Sequence, residues 1–155
     1  MGVEIERKFL VIGDSWQSHA GAGCRLRQGY LGPSSSGAQV RVRCASDRAF
    51  LTIKGRRNGC ARAEFEYEIP YDEAELMLNS LCLNPPLEKT RYTLEDAGST
   101  WVIDVFSGTF LGLIVAEIEL NSVDQIFDRP NWLGEEVTHL PQYRNAVLSE
   151  QTTVL

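Results

Sequence analysis

The residues of this sequence most able to do chemistry are charged side chains spaced two apart. In the segment VEIERKF, Glu4, Glu6 and Lys8 alternate with apolar residues such as Ile5 and Phe9. Successive side chains of a β-strand point to opposite faces, so the three charged groups share one face. Later segments repeat this pattern, and their charged members are Arg41, Arg43, Lys54, Arg62, Glu64, Glu66, Glu68, Lys89, Arg91, Asp104, Glu117 and Glu119.

Two interpretations of these charged faces are open. An antiparallel sheet often buries one face and exposes the other, so the alternation alone is compatible with a solvated surface. However, like charges such as Glu4 and Glu6, or Arg41 and Arg43, would lie only about 6.7 Å apart along one strand, which is mildly unfavourable. A polyanion bound together with divalent cations would explain both signs, because arginines bind anions and paired carboxylates bind metals.

The composition indicates an ordinary globular protein. The chain has 155 residues, of which 43% are hydrophobic and 23% charged, and we expect a single domain over residues 1–155. The net charge of −6 and the pI near 5.0 argue against a general nucleic-acid binder. No apolar stretch suits a signal peptide or a membrane span, and none of the four cysteines has CxxC spacing. We therefore expect a cytoplasmic protein with free thiols, no zinc site and no membrane partner.

The periodicity predicts eight strands that position the charged residues. Turn-forming residues, such as those at 96–99, separate several of them. The strands are expected near residues 3–12, 24–31, 38–45, 48–54, 62–69, 88–95, 100–106 and 113–120.

Three helices are expected between and after these strands. Asp72 and Glu75 would form a capping box for a helix over residues 73–83. A shorter helix would begin at Ser122 and end before Pro130, and a last one would cover 143–150. The first helix would bury an apolar stripe made of Leu76, Leu78, Leu81 and Leu83.

We predict a mainly β (α+β) fold, an eight-stranded antiparallel closed barrel with a charged lumen and a few helices packed outside. Closure removes the sheet edges, and the outward apolar faces would place the hydrophobic core between wall and helices. The lumen would be a wet tunnel, because buried charges without water, ions or a ligand are costly. The second strand stays ambiguous: either Arg25 and Arg27 or Gln28 and Tyr30 face the lumen, and a bulge at Gly29 would reconcile part of the conflict.

The ordered set of segments resembles the triphosphate tunnel metalloenzymes of the CYTH superfamily. The signature E-x-E-x-K lies at Glu4, Glu6 and Lys8, and nearly the whole chain takes part in the resemblance. The short, stand-alone bacterial members, which act as inorganic tripolyphosphatases, are the most similar. The other matching segments follow in the expected order: RQGYL (27–31), VRVR (40–43), LTIKG (51–55), R-x-E-x-E (62–66), EKTRY (88–92), IDVF (103–106), EIEL (117–120) and WLGEEVT (132–138).

The resemblance implies a tunnel that binds a triphosphate and Mg²⁺ or Mn²⁺, with Gln28 and Tyr30 facing the lumen. Two ions are expected, one bridging phosphates and one activating the attacking water. The implied metal ligands are Glu4, Glu6, Asp104, Glu117 and Glu119, with Glu64 or Glu66 contributing. The residues implied to bind phosphate are Lys8, Arg41, Arg43, Lys54, Lys89 and Arg91. For the carboxylate pairs, salt bridging to the lumen arginines is the alternative.

Lys54 and Tyr30, with Glu4 and Glu6, are the candidates for catalysis. Lys54 would lie among lumen arginines, whose charges favour the neutral amine, so it is a candidate base or proton relay with Tyr30 as hydrogen-bond partner. The alternative is that Lys54 only clamps phosphate.

The segment at residues 139–145 departs from the family pattern. Relatives continue after EVT with Asp, then Arg-Tyr or Lys-Arg-Tyr, then Asn, whereas this chain has HLPQYRN. An acidic and one or two basic residues are missing, so the way this segment closes on the tunnel is open, and Arg144 is the candidate to compensate.

The implied function is hydrolysis of tripolyphosphate to pyrophosphate and phosphate. An adenylate cyclase or a thiamine or nucleoside triphosphatase on the same fold is an alternative, and so is a non-catalytic polyphosphate-binding module. The partner would be a small polyanion, and the oligomeric state, including a homodimer, is open.

Overall fold

The fold is a closed antiparallel β-barrel, as predicted, and the computed structural model describes residues 2–151 of it. All eight predicted strands are confirmed to within a few residues, whereas the short ninth strand, β9, was not predicted. The strands are β1 (Val3–Val11), β2 (Cys24–Tyr30), β3 (Gln39–Ala45), β4 (Arg48–Lys54), β5 (Ala61–Ile69), β6 (Leu87–Asp96), β7 (Ser99–Phe106), β8 (Ile114–Glu119) and β9 (Leu133–Glu136). The expected domain over 1–155 extends beyond the described residues at both ends.

Strand β1 closes the barrel by pairing with two strands in succession. The order around the wall is β5-β4-β3-β2-β6-β7-β8-β1, and a further pairing joins β1 to β5. The first residues of β1 pair with β5, with Glu4 opposite Arg62, and residues 6–10 pair with β8. Strand β9 adds to the last residues of β1. The side chains of β1 that alternate towards the inside are therefore enclosed by neighbouring strands.

The ambiguous strand β2 turns Gln28 and Tyr30 inward. Its register with β3 runs without interruption from Leu26 to Tyr30, so no bulge at Gly29 is required. Arg27 lies outside and bonds Glu75 of the covering helix. Gly29 faces the end of that helix so closely that a Cβ atom there would lie 3.2 Å from Leu78 Cδ2 and 2.8 Å from Sγ of Cys82, just after the helix. Close approach of the helix therefore explains the glycine.

The hydrophobic core lies outside the barrel, as predicted, in three separate clusters. The largest surrounds Trp101 and includes Trp16 and Trp132, so these tryptophans are packing residues. A second cluster lies beneath helix α1 (Tyr71–Ser80), and a third lies beneath helix α2 (Asn145–Leu148). The outer face of β5 is left uncovered by the described residues, since Phe65 and Tyr67 are about half exposed.

The helix predictions were only partly correct. Pro70 is the N-cap of α1, and Asp72 lies within the first turn, where its carboxylate accepts a hydrogen bond from the Glu73 N–H; the capping box was therefore wrong. The buried positions of α1 are Ala74 and Leu78, spaced one turn apart. The predicted stripe was wrong at its other three positions, which are exposed: Leu76, Leu81 and Leu83.

The two later helix predictions met different outcomes. The helix expected from Ser122 to Pro130 is absent from the described structure. Instead, the Gln125 side chain accepts a hydrogen bond from the Asn121 N–H, which forms a local turn, and Phe127 packs against Phe9 and Trp101. The last helix exists but is shorter than expected. No helix within residues 2–151 has the length and hydropathy that a membrane span needs.

Candidate active site

The lumen of the barrel is a cavity of about 740 Å³ with charges of both signs on its wall. Six of the predicted metal ligands line it: Glu4, Glu6, Glu64, Glu66, Glu117 and Glu119. Five of the predicted phosphate-binding residues line it as well: Lys8, Arg41, Arg43, Lys54 and Arg91. Tyr30 is the one aromatic residue of the wall in the part of the chain that the structure describes.

Strands β1 and β8 bring the central carboxylates together. Glu6 is the register partner of Glu119, and Lys8 is the partner of Glu117. Burial, followed by the charges of Glu117 and Glu4, raises the pKa of Glu6 to about 7. Such a pKa marks a carboxylate for which burial and like charges outweigh the nearby ammonium groups of Lys8 and Lys54.

Glu117 has the opposite electrostatic environment. Its carboxylate lies 3.4 Å from Lys8 Nζ and 3.5 Å from Arg91 Nη2. Burial favours its neutral form, but the neighbouring cations, Lys8 first, outweigh burial and lower its pKa to about 2. Two carboxylates in one lumen therefore hold protons at very different pH values.

Lys54 lies between carboxylates. Its ammonium group is 3.1 Å from both oxygens of Glu4 and 3.2 Å from Glu64. The sequence had suggested arginine neighbours, but the two direct charged partners are acidic. This placement favours the clamp alternative over the base.

Two series of inward-facing hydrogen bonds hold the arginines of β3. Arg43 Nε donates to Gln28 Oε1 at 2.8 Å, and Gln28 Nε2 donates to the Tyr30 hydroxyl at 3.3 Å. On the neighbouring strand pair, Thr52 bonds both Arg41 and Glu66. Burial, together with the charges of Arg41 and Arg91, lowers the pKa of Arg43. A bound anion would relieve this repulsion.

Asp104 and Lys89 lie within the wall and do not line the cavity. Asp104 is 1% exposed, and its carboxylate accepts bonds from Lys89 Nζ at 2.7 Å and from Arg91 Nε at 2.8 Å. Burial alone would raise the pKa of Asp104, but the charges of Lys89 and Arg91 hold it well below its usual range. The structure thus joins a predicted metal ligand to two predicted phosphate binders.

The segment that departs from the family pattern closes on the tunnel through its backbone and amide groups. The Tyr143 carbonyl accepts a bond from Lys8 Nζ at 3.1 Å, and Asn145 Oδ1 accepts one from Lys89 Nζ at 3.0 Å. Residues 144–147 line the cavity. The missing acidic and basic residues therefore do not prevent closure.

Four further arginines line the cavity and were not among the predicted site residues: Arg56, Arg57, Arg62 and Arg144. Arg62 lies on β5 at the inward parity of Glu64, and the period of two placed it on a charged face without assigning it a role. Arg56 and Arg57 follow β4 in a loop, where no periodicity applies. Only the folded structure brings this loop next to Arg144.

The wall suits a hard divalent cation, although no three His, Cys, Asp or Glu side chains within residues 2–151 form a ready-made ligand group. Mg²⁺ keeps several waters and is commonly held by one or two carboxylates plus substrate phosphates, so such a group is not required. Burial first, and then the charges of Glu117 and Glu4, make the ionised form of Glu6 unfavourable, and a bound cation would stabilise that form. The donor set therefore fits Mg²⁺ or Mn²⁺.

Comparisons with known proteins agree with this geometry. The model of the CYTH domain matches residues 2–152. An inorganic triphosphatase of Acetivibrio thermocellus is 46% identical over 148 residues, which is 96% of this chain and 94% of the relative. An inorganic triphosphatase of Nitrosomonas europaea is 38% identical over 151 residues, covering 94% of this chain and 96% of the relative.

Solved structures share the fold of this chain. A crystal structure of an inorganic triphosphatase superposes with a TM-score of 0.69 at 33% identity and covers 96% of this chain and 99% of its own. A putative adenylate cyclase from Bacillus halodurans, at 18% identity and a TM-score of 0.62, covers 84% of this chain and 97% of its own and shares the fold. The molecule is a charged-lumen β-barrel of the triphosphate tunnel class. The chain belongs to the CYTH domain family.

Proposed function

We propose that this protein hydrolyses inorganic tripolyphosphate to pyrophosphate and phosphate and requires a divalent cation. The observation that carries the proposal is the tunnel wall, which has cations for a polyanion and carboxylates for a metal in one enclosed space. The names of the two relatives, both inorganic triphosphatases, support it. The nearly complete lack of aromatic residues among the described wall residues favours a bare polyanion over a nucleotide.

The phosphate-binding role falls to the basic residues of the wall. Lys8, Arg41, Arg43 and Arg91 come from three different strands and point into one lumen, so they neutralise charge along a linear anion. Lys89 acts from behind the wall: with Arg91 it shares the buried carboxylate of Asp104. We assign Asp104 to positioning Arg91 and Lys89.

The metal-binding role falls to Glu4, Glu6, Glu117 and Glu119, with Glu64 and Glu66 near the same lumen. A bound Mg²⁺ or Mn²⁺ supplies Lewis-acid polarisation of phosphate oxygens and a more acidic water. The expectation of two ions remains a prediction.

Hydrolysis breaks the bond between a terminal phosphorus and its bridging oxygen. Water attacks the terminal phosphorus and loses a proton, orthophosphate forms, and pyrophosphate leaves with the bridging oxygen. The arginines stabilise the charge that spreads over the phosphate oxygens in the transition state. Lys54, held by Glu4 and Glu64, is placed to hold a phosphate oxygen once a ligand displaces these contacts, and its role as a base remains a prediction.

Phosphate release from tripolyphosphate, ATP, thiamine triphosphate and pyrophosphate tests the function. Tripolyphosphate is expected to have the highest kcat/KM, EDTA should abolish turnover, and Mg²⁺ or Mn²⁺ should restore it. Undiminished activity in EDTA would contradict the metal requirement, and formation of cyclic AMP from ATP would favour the cyclase alternative. Tight binding without turnover under either metal would favour the binding module.

Location and assembly remain predictions. A reducing, cytoplasmic location is supported by four cysteines that are all free. The homodimer is testable by light scattering, with the uncovered apolar face of β5, which includes Phe65 and Tyr67, as the surface to mutate.

A further inference from the structure

One end of the tunnel carries a cluster of arginines contributed by the β4–β5 connection and the C-terminal segment. Strand β2 ends at Tyr30, β3 begins at Gln39, β4 ends at Lys54 and β5 begins at Ala61, and neighbouring strands are antiparallel. The β2–β3 and β4–β5 connections therefore lie at the same end of the barrel. Arg56 and Arg57 lie in the second connection, and Arg144 approaches from the C-terminal segment.

Among the described residues, most of the central cations have an acidic partner, with Arg43, which bonds Gln28, as the exception, whereas these three arginines have none. Lys8, Lys54, Arg41 and Arg91 each pair with a carboxylate of the lumen or wall. Within residues 2–151, no carboxylate oxygen lies within 4.0 Å of a guanidinium nitrogen of Arg56, Arg57 or Arg144. The buried Nε of Arg144 has no hydrogen-bond partner either.

The surroundings of the cluster combine close packing with like charges. Arg62, next to it on the wall, is fixed by two bonds to the Gly55 carbonyl at 2.9 and 3.1 Å. Gly37 leaves room for Arg56, because a Cβ atom there would lie 3.0 Å from Arg56 Nη2. Burial and the charge of Arg57 both lower the pKa of Arg62 and of Arg144. An anion at this end would relieve the repulsion.

The carboxylate of Glu150, in the C-terminal segment, is engaged by another residue. Glu150 accepts two bonds from Ser34, from the N–H at 2.8 Å and from the hydroxyl at 2.6 Å. This contact joins the β2–β3 connection to the C-terminal segment at the rim of the cavity. Because Glu150 bonds Ser34, it does not serve as a counter-ion for Arg56, Arg57 or Arg144.

We propose that Arg56, Arg57 and Arg144 form a separate phosphate subsite at this end of the tunnel, next to the central site. It would take the fourth phosphoryl group of a longer linear polyphosphate, or free orthophosphate, which presents the same oxygens. This inference rests on the proposed function, because the central site must hold the other three phosphates. Arginines suit the ligand, since guanidinium groups bind phosphate oxygens in a bidentate manner.

Kinetics with two substrates of different length test the subsite. Inorganic tripolyphosphate and tetrapolyphosphate are compared in the wild type, in Arg57→Gln and in the double variant R56Q/R57Q. The wild type should prefer tetrapolyphosphate, and Arg57→Gln should reduce its kcat/KM for tetrapolyphosphate by about tenfold or more, the loss of one charge-assisted hydrogen bond. Its kcat/KM for tripolyphosphate should stay within about twofold. Arg48→Gln is the matched control, because Arg48 is exposed and pairs with Glu68 outside the lumen.

Orthophosphate as an inhibitor separates the two sources of the ligand. Weaker inhibition by orthophosphate in Arg57→Gln would show that the subsite also takes the free anion. Unchanged inhibition, with the tetrapolyphosphate preference lost, would assign the subsite to the linked phosphoryl group alone. Equal losses for both substrates, or no loss for either, would overturn the proposal.

Calorimetry in EDTA separates the subsite from the proposed activity. Binding of both polyphosphates to the metal-free protein does not depend on turnover. Even if neither substrate were hydrolysed, Arg57→Gln must weaken binding of tetrapolyphosphate more than binding of tripolyphosphate. Equal weakening would overturn the subsite and leave the proposed function untouched.

Discussion

Glu6 on β1 and Glu119 on β8 are direct cross-strand partners in the lumen. Like charges in this position destabilise a sheet unless something binds between them. Two further lumen carboxylates add to the unfavourable environment of Glu6: burial first, and then the charges of Glu117 and Glu4, raise its pKa to about 7. Glu6 therefore keeps its proton to a higher pH than an ordinary glutamate does.

The metal-free protein should therefore lose stability as the pH rises from 5 to 8. The folded-state pKa of Glu6, about 7, lies above its ordinary value of 4.5, so between these values the folded protein binds more protons than the unfolded chain. The contribution of this one group is on the order of 3 kcal/mol and disappears above pH 7. Chemical denaturation in EDTA across this range measures it. Glu6→Gln should flatten the profile, and an unchanged slope in that variant would refute the assignment.

Glu6→Gln and Glu117→Gln should both lose most activity but shift the melting temperature in opposite directions. At pH 8 without metal, Glu6→Gln removes a repelled charge and should raise the Tm. Glu117→Gln removes a carboxylate whose pKa of about 2 reflects favourable contacts with Lys8 and Arg91, so it should lower the Tm. A loss on the order of 3 kcal/mol would shift the Tm by about 6–12 °C. Shifts of the same sign in both variants would contradict the opposed environments.

Asp104→Asn should destabilise the protein severely. The substitution leaves the buried Lys89 ammonium and the Arg91 guanidinium without their shared carboxylate, which costs about 3–5 kcal/mol when one partner of a buried pair is removed. Glu88→Gln is the control: it breaks the exposed pair with Arg25 and should cost under about 1 kcal/mol. Urea unfolding measures both. A stable Asp104→Asn variant with weakened metal affinity would restore the original expectation of a metal ligand.

Lys54→Arg tests whether Lys54 takes a proton during turnover. Arginine keeps the charge but does not release its proton, so a base role predicts a large loss in kcat with little change in KM. The contacts of Lys54 with Glu4 and Glu64 favour a clamp, for which KM should rise and the pH profile should remain. Tyr30→Phe is the companion variant. It should lower kcat if the Tyr30 hydroxyl relays a proton, and it should leave kcat unchanged if Tyr30 only packs.

The sequence predicted the barrel wall well because strand periodicity is a local property. Alternation in each segment identified the inward residues, and Arg41, Glu64 and Glu117 do line the lumen. Sequence patterns failed for two short segments outside the eight predicted strands. Strand β9 has four residues and too few alternations to detect, and Ser122 with Gln125 mimics a helix start where Gln125 caps a turn instead.

The sequence predicted which face of a strand each charged residue occupies, but not which residue its side chain contacts. The period of two places Asp104 on the inward face, but its register partner Arg91 and the neighbouring Lys89 bind its carboxylate and remove it from the cavity wall. Arg57 and Arg144 lie in connections more than eighty residues apart. Only the closed fold brings them together, so no local pattern could have identified the cluster.

Because β1 pairs with β5, β8 and β9, the barrel cannot close during synthesis until residues near the end of the chain leave the ribosome. Glu4, Glu6 and Lys8 are made first, yet the strand that completes their surroundings starts at Ile114. Contacts of such long sequence separation slow folding and leave strand edges unpaired in the nascent chain. A ribosome-bound chain that stops before β8 would leave Glu6 and Lys8 on an open edge of β1. Activity should therefore emerge abruptly, only once the last strands are available.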